Sequence, residues 1–202
     1  MSTALPTPLE FLKRDPVLAG LIRRYPLQIL PPPAKTLFEP LVKTVIQQQV
    51  RFSVAQVIIE RMQGMGDQAA FPSVDQIAAT PLAQLRSLGL SHSKAVCIHE
   101  IARQIMRGTV PTAADCIEYS DADLIARLTA IKGIGLWTAQ LCLLFGLSRP
   151  DIMPAADLGI RRGFQRAYQM SDLPSVKAVQ EHCQQWAPYR SHGSLYLWQA
   201  AK

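Results

Sequence analysis

The segment 128–139 constrains the fold more than any other part of this chain. It reads Leu-Thr-Ala-Ile-Lys-Gly-Ile-Gly-Leu-Trp-Thr-Ala, so two glycines lie between two apolar stretches with helical spacing. Because glycine adopts backbone conformations that other residues avoid, this pattern predicts a tight turn that joins two helices. The amides of Gly133, Ile134 and Gly135 would then lie at the start of the second helix, where N–H groups can bind a phosphate. A plain pair of packed helices has the same pattern, so the turn alone does not establish such a site.

Apolar residues elsewhere in the chain also recur at helical spacing, and no segment has the alternation of a β-strand. Between residues 38 and 62 they form one predicted apolar face, which the three glutamines at 47–49 interrupt with a short break. The 15 prolines and 11 glycines lie mostly between the helical stretches. We therefore predict an all-α fold. The predicted apolar face consists of Val42, Val45, Ile46, Val50, Val54, Val57 and Ile58.

Composition excludes several classes of protein. The 202 residues include 21 Lys and Arg against 15 Asp and Glu, and this net charge of +6 favours nucleic acid over an anionic membrane as partner. No stretch approaches the roughly 18 apolar residues of a membrane-spanning helix. Residues 1–8 do not resemble a signal peptide, so we expect an intracellular protein. The cysteines are too far apart for an ordinary zinc site or an iron–sulfur cluster, and we expect reduced, buried thiols. They are Cys97, Cys116, Cys142 and Cys183.

The hairpin segment 128–139 with Asp157 after it, the segment 45–55 and the segment 89–95 occur together in this chain. Together they resemble the helix-hairpin-helix DNA glycosylase superfamily. The family's hairpin, of the type L-P-G-I-G-x-W-T-A, is followed by a loop that ends in the catalytic aspartate, as 128–139 is followed here by Asp157. The segment 45–55 resembles the family's I-x-Q-Q-x-S-x-x-A-A helix break. The segment 89–95 resembles its G-L-S-x-x-K-A element. The resemblance runs from about residue 40 to residue 198, and its closest branch is 3-methyladenine DNA glycosylase II.

The resemblance implies two helical lobes with a cleft between them. One lobe would span 36–148 and contain the helix-hairpin-helix at 128–139. The other would combine 1–35 with 149–202 and carry Asp157 at the mouth of the cleft. By this resemblance we expect the compact form of the family, without an N-terminal β-rich domain, and a monomer.

The activity implied is removal of alkylated purines, such as 3-methyladenine and 7-methylguanine, from double-stranded DNA after base flipping. Asp157 matches the catalytic carboxylate, which would stabilise positive charge on the sugar and orient the attacking water. A simple helix cap is the structural alternative for this residue. Trp137 stands where bifunctional members carry a lysine, so the enzyme would be monofunctional, without lyase activity, and would leave an abasic site.

The resemblance also assigns the groups that contact the damaged base. Trp137 and Trp198 match aromatic residues that line the base pocket, where an electron-rich ring stacks on a cationic base. The alternative is that Trp137 and Trp198 are ordinary aromatic residues of the core. Leu141 replaces a third pocket aromatic and leaves the substrate range open. Gln49 matches the residue that fills the gap left by the flipped base.

Contacts to the DNA backbone are expected mainly from the hairpin and from nearby cations. By resemblance, the hairpin also binds a monovalent cation through the carbonyls of Thr129, Ile131 and Ile134; no other cofactor is expected. Lys132 departs from the proline that is usual in the family. The expected phosphate-binding residues are Gly133, Ile134, Gly135, Lys132, Arg51, Lys94 and Arg161.

Two alternative functions remain open from the sequence. The same scaffold could excise other damaged bases, such as etheno, deaminated or oxidised ones. A non-catalytic helix-hairpin-helix protein would need only the hairpin, and it would leave a carboxylate at Asp157 unexplained. Double-stranded DNA with damaged bases is the expected partner of the enzyme, with no membrane, in the cytoplasm or nucleoid if the source is bacterial.

Overall fold

A computed structural model describes residues 7–26, 28–66 and 70–202. Over these residues the chain forms α-helices and no β-strand, which confirms the predicted all-α class. None of the described helices is long and apolar enough to span a membrane. In chain order the helices are α1 (Pro8–Leu12), α2 (Pro16–Arg24), α3 (Phe38–Gln47), α4 (Phe52–Gln63), α5 (Val74–Ala79), α6 (Leu82–Ser87), α7 (His92–Met106), α8 (Asp121–Thr129), α9 (Leu136–Leu141), α10 (Leu158–Ala167), α11 (Val176–Cys183) and α12 (Arg190–Ala200).

The chain divides into two compact units. One, which we call the terminal unit, combines Met1–Pro31 with Ser148–Lys202. The other, the hairpin unit, is Pro32–Leu147. Short 3₁₀ turns at Asp115–Glu118 and Gln184–Trp186 and a π-helical turn at Cys142–Gly146 complete the described elements.

The hairpin unit is built around α7, its longest helix. Ser91 caps α7 by accepting a hydrogen bond from the Lys94 amide, and α3, α5 and α6 pack against the helix. The face of α7 that they cover carries Ile98 and Ile101, which are fully buried. Burial of such apolar surface is the main stabilising contribution to a domain of this size.

The predicted break between two helices is confirmed, but the predicted continuous apolar face is wrong. α3 ends at Gln47 and α4 begins at Phe52. In the turn between them Gln49 has a φ of +53°, which changes the chain direction and shifts the helical register. As a result Val50, Val54 and Val57 are exposed. The buried residues of α4 are instead Ala55, Ile58, Ile59 and Met62.

The terminal unit is held together by close packing of α10 on α12. A Cβ atom at Gly163 of α10 would lie 1.9 Å from the carbonyl oxygen of Leu197, so only glycine allows the two backbones to approach this closely. Trp186 and Tyr196 are the largest fully buried side chains of the core beside this contact.

All four cysteines are buried and none forms a disulfide, as predicted. Burial raises the pKa of the Cys97 thiol to about 11. The thiols therefore pack as small apolar side chains.

Candidate active site

Asp157 lies at the N-cap of α10, at the end of an irregular loop. Its Oδ1 accepts a hydrogen bond from the Ile160 amide at 2.9 Å and another from Trp198 Nε1 at 2.9 Å. The capping role considered from the sequence is therefore real. It does not compete with a chemical role, because a helix N-terminus favours a negative charge and the two donors fix the direction of the carboxylate.

The loop that precedes Asp157 is anchored on the first turn of α12. Arg190 binds Asp151 with two hydrogen bonds of 2.7 and 2.9 Å. The buried Ser191 hydroxyl donates to the Arg149 carbonyl at 2.6 Å and accepts from the Ile152 amide at 2.9 Å. The same helix thus supports the loop at one end and, through Trp198, the carboxylate of Asp157 near its other end.

Gly159 leaves room for the contact between Asp157 and Trp198. A Cβ atom at this position would lie 2.9 Å from Asp157 Oδ1 and 2.9 Å from the Cδ1 atom of the indole ring. Sequence reasoning missed this residue. The available signal is a glycine in the first turn of a helix, where glycine is otherwise unfavourable.

The hairpin joins α8 to α9 as predicted, but its two glycines have different roles. Gly133 has a φ of +96°, and a Cβ atom there would lie 2.7 Å from Cys97 Sγ. Gly135 has a φ of −92° and caps α9, so it does not need the left-handed region. The Ile134 amide donates to the Ile131 carbonyl at 3.0 Å. The proton of this amide is used inside the turn, and the phosphate contact of Ile134 stays a prediction.

The three carbonyls predicted to bind a monovalent cation belong to the hairpin and the end of α8, and cation binding stays a prediction. Among the described residues, no group of three His, Cys, Asp or Glu side chains is arranged to hold a metal ion. Ile131 uses its carbonyl on the Ile134 amide. A carbonyl oxygen has a second lone pair, so this hydrogen bond does not prevent cation binding.

Lys94 makes hydrogen bonds inside the protein that the sequence did not predict. Its Nζ atom donates to the carbonyl of Ile46 at 2.8 Å and to that of Gln48 at 2.7 Å, both at the end of α3. Burial lowers the pKa of its ammonium group. Lys94 thus caps the end of α3 with two of its three N–H donors, and its contact with a DNA phosphate stays a prediction.

Arg161 also makes a contact inside the protein, since its Nε atom donates to the Pro174 carbonyl at 2.8 Å. Arg51 and Lys132 are exposed, as phosphate contacts require. Their role stays a prediction.

The predicted pocket residues belong to both units. Asp157 and Trp198 are in direct contact in the terminal unit. In the hairpin unit, Gln49 is exposed and Trp137 is half-buried, while Leu141 is buried. The roles of Trp137 and Leu141 in base recognition stay predictions.

Comparison with known proteins identifies the class to which this fold and site belong. Residues 42–189 match the model of the HhH-GPD superfamily base excision DNA repair proteins. The chain is therefore a member of that superfamily, as the sequence motifs predicted. It is 34% identical over 165 residues to DNA-3-methyladenine glycosylase 1 of Schizosaccharomyces pombe, covering 82% of this chain and 72% of that protein.

Solved structures agree with this assignment. The 3-methyladenine DNA glycosylase of Schizosaccharomyces pombe, in complex with abasic DNA, matches with a TM-score of 0.91 and 30% identity over 96% of both chains. The 3-methyladenine DNA glycosylase of Archaeoglobus fulgidus matches with a TM-score of 0.82 and 29% identity, over 96% of this chain and 68% of that one.

Proposed function

We propose that this protein is a monofunctional DNA glycosylase that removes alkylated purines, including 3-methyladenine and 7-methylguanine, from double-stranded DNA. The observation that carries the proposal is the Asp157 carboxylate, held by two donors at the start of α10 in a chain that resembles a glycosylase solved with abasic DNA. Abasic DNA is the product that such a reaction leaves.

In the proposed reaction, the bond between the sugar C1′ and the purine nitrogen breaks, and the electron pair leaves with the base. The base already carries positive charge, so it departs without a general acid. Asp157 stabilises the positive charge that develops on the sugar. It also orients the water that adds to C1′, and the water proton passes to the carboxylate or to solvent. The hydrogen bonds from Ile160 and Trp198 keep the carboxylate in one orientation during this step.

DNA handling is assigned to the hairpin unit. The amides of Gly133 and Gly135, together with Lys132 and Arg51, contact phosphates, while Gln49 fills the gap left by the flipped base. These contacts release counterions, so affinity falls as salt rises. A monovalent cation on the carbonyls of Thr129, Ile131 and Ile134 would add positive charge beneath a phosphate.

In this proposal Trp137 recognises the damaged base and makes the enzyme monofunctional. Its indole ring stacks on the cationic base. It supplies no amine for a Schiff base, so the DNA strand is not cleaved. The protein acts as a monomer wherever the cell keeps its DNA, in the cytoplasm and nucleoid if its source is bacterial.

The proposal is tested by measuring base release from methylated duplex DNA by chromatography. Asn caps helices about as well as Asp, so Asp157→Asn is expected to fold and to bind DNA. It should release 3-methyladenine at least about a hundredfold more slowly than the wild type, because it lacks the charge. Asp172→Asn, which changes an exposed carboxyl group of the same unit, is the matched control and should be fully active.

Equal release by the wild type and Asp157→Asn would remove Asp157 from the mechanism. If neither protein releases methylated bases but both bind DNA, duplexes with single etheno, deaminated or oxidised bases decide between another glycosylase specificity and a binding protein. Cleavage of the DNA strand without added alkali would contradict the monofunctional assignment.

A further inference from the structure

Gln49 has a backbone conformation that residues with a Cβ atom disfavour. It lies in the turn 48–51 between α3 and α4, its φ is +53°, and its side chain is exposed. Such a conformation persists only where the surrounding contacts hold it, and it often marks a functional position. Two side chains, those of Lys94 and Gln48, hold this turn.

Lys94 provides the first of these contacts. The last carbonyls of a helix lack partners within the helix, and a lysine ammonium group can satisfy them. Lys94 reaches from the first turn of α7 to the carbonyls of Ile46 and Gln48 at 2.8 and 2.7 Å. The Gln48 carbonyl belongs to the peptide group that leads directly into Gln49, so Lys94 fixes the orientation of that peptide.

Gln48 provides the second contact through its side chain. Its Nε2 atom donates to Thr138 Oγ1 at 2.9 Å and to the Gly133 carbonyl at 3.3 Å. Gly133 is in the hairpin turn and Thr138 is in α9. The turn that carries Gln49 is therefore tied to the hairpin at two points.

The helix α7 supports both structures at once. Lys94 holds the turn 48–51, and Cys97, less than one helical turn further on, packs directly against Gly133. The three sequence stretches 45–55, 89–95 and 128–139 thus form one hydrogen-bonded and packed cluster.

We propose that Lys94 and Gln48 are positioning residues that fix Gln49 in register with the hairpin. This inference rests on the proposed function, in which Gln49 enters the gap left by the flipped base while the hairpin holds a phosphate. Lys94 and Gln48 act through Gln49 and do not contact the reacting atoms. Small displacements of a positioned group cost large factors in rate, so loss of either contact lowers activity although the catalytic carboxylate is intact.

A double-mutant cycle tests the proposal. Lys94→Met keeps most of the side-chain length and removes the ammonium donors, and Gln48→Met removes the amide donors. Each is expected to lower kcat/KM for base release by about tenfold, as loss of hydrogen bonds of this kind predicts. In a Gln49→Ala background the same substitutions are expected to have little further effect, because coupled residues are non-additive. Arg103→Met removes the same charge from an exposed position of α7 and should leave activity unchanged.

A second readout does not depend on base release. A duplex with 2-aminopurine beside an abasic site reports the entry of Gln49 into the stack as a change in fluorescence on binding. The wild type should give this change, and Lys94→Met and Gln48→Met should reduce it, as should Gln49→Ala. If the wild type releases no base, the proposed function fails, whereas this measurement still tests the positioning of Gln49.

Two results would overturn the inference. One is that Lys94→Met lowers activity by the same factor in the wild-type and in the Gln49→Ala background. Lys94 would then act through the stability of the fold or through the net charge of the protein. The other is full activity and fluorescence change in both methionine variants. Urea denaturation shows whether each variant is folded. If Lys94→Met is unfolded, the proposal is tested with Gln48→Met alone.

Discussion

Trp198 Nε1 donates a hydrogen bond to Asp157 Oδ1 at 2.9 Å. The terminal unit contains a second pair of the same chemistry, in which Trp186 Nε1 donates to Asp15 Oδ2 at 3.0 Å. Trp186 is only 1% exposed, whereas Trp198 is half-buried. The first pair orients the proposed catalytic carboxylate, and the second lies in the core, so the two pairs should respond differently to the same substitution.

Trp198→Phe is expected to lower kcat for base release by about tenfold while changing stability by less than about 1 kcal/mol, because it removes one donor to a charged group at a partly solvated position. Trp186→Phe should do the opposite: it leaves a buried carboxylate with one donor fewer, so stability falls by about 2 kcal/mol with little effect on kcat. Single-turnover kinetics and urea unfolding of both variants measure the two effects. A loss of kcat that is equal in the two variants would contradict the assignment.

Asp15 should make the stability of the protein depend on acid pH. Burial opposes ionisation of this carboxyl group, but hydrogen bonds from Tyr168, Trp186 and the amides of Leu18 and Val17 outweigh it, so its pKa lies below the ordinary value. The stabilisation is therefore present above the unfolded pKa of about 3.9 and is lost as pH falls through the lowered folded pKa.

Urea unfolding of the wild type and Asp15→Asn at pH 6 and pH 3 measures this dependence. The variant is expected to be less stable by about 2 kcal/mol at pH 6, and the difference should shrink at pH 3, where the Asp15 carboxyl group of the unfolded chain is mostly protonated. Asp172→Asn, at an exposed site, should show neither effect. A difference that does not change with pH would show that the charge of Asp15 is not the stabilising feature.

Gly133→Ala should damage the hairpin, and Gly135→Ala should not. The first places a Cβ atom 2.7 Å from Cys97 Sγ at a φ of +96°, and the second meets nothing within 4 Å. We expect Gly133→Ala to lose at least about 2 kcal/mol of stability. Gly135→Ala should lose less than about 1 kcal/mol, as expected for a changed helix cap. Thermal unfolding measures both. Adding Cys97→Ala should restore part of the loss at Gly133, and no recovery would assign the whole cost to the backbone conformation.

Gly163→Ala and Gly20→Ala form another matched pair within helices. A Cβ atom at Gly163 would lie 1.9 Å from the Leu197 carbonyl oxygen, so α10 and α12 must separate, at a cost of about 3 kcal/mol or more. Gly20 in α2 has open space, and alanine there should stabilise the protein by about 0.5 to 1 kcal/mol. Denaturant titration measures whether each variant has a lower or a higher free energy of unfolding than the wild type. Equal tolerance of both substitutions would mean that the close contact of α10 and α12 is not tight in solution.

Local patterns were enough to predict the all-α class and the hairpin. Ser91 and Ser120 cap α7 and α8, and a hydroxyl residue before a helix is a local signal of this kind, because it satisfies amides of the adjacent turn. The break after α3 was visible in the three glutamines. The exposure of Val54 and Val57 was not visible in the sequence, because the positive φ of Gln49 shifts the register of the next helix.

Several features of the site could not be predicted because they depend on contacts between distant segments. Arg190 and Ser191 belong to no recognised motif, yet they anchor the loop before Asp157. The Ile134 amide belongs to the motif, but its hydrogen bond inside the turn became visible only in the folded backbone.

The helical class, the hairpin and the superfamily could be read from the sequence alone, because each depends on local spacing or on motifs short enough to recognise along the chain. Three contacts became visible only in the folded protein: Lys94 caps α3, Gln48 ties the turn of Gln49 to the hairpin, and Trp198 holds Asp157. A polar side chain takes the partner that folding brings within about 3 Å, and sequence separation does not limit which partner that is.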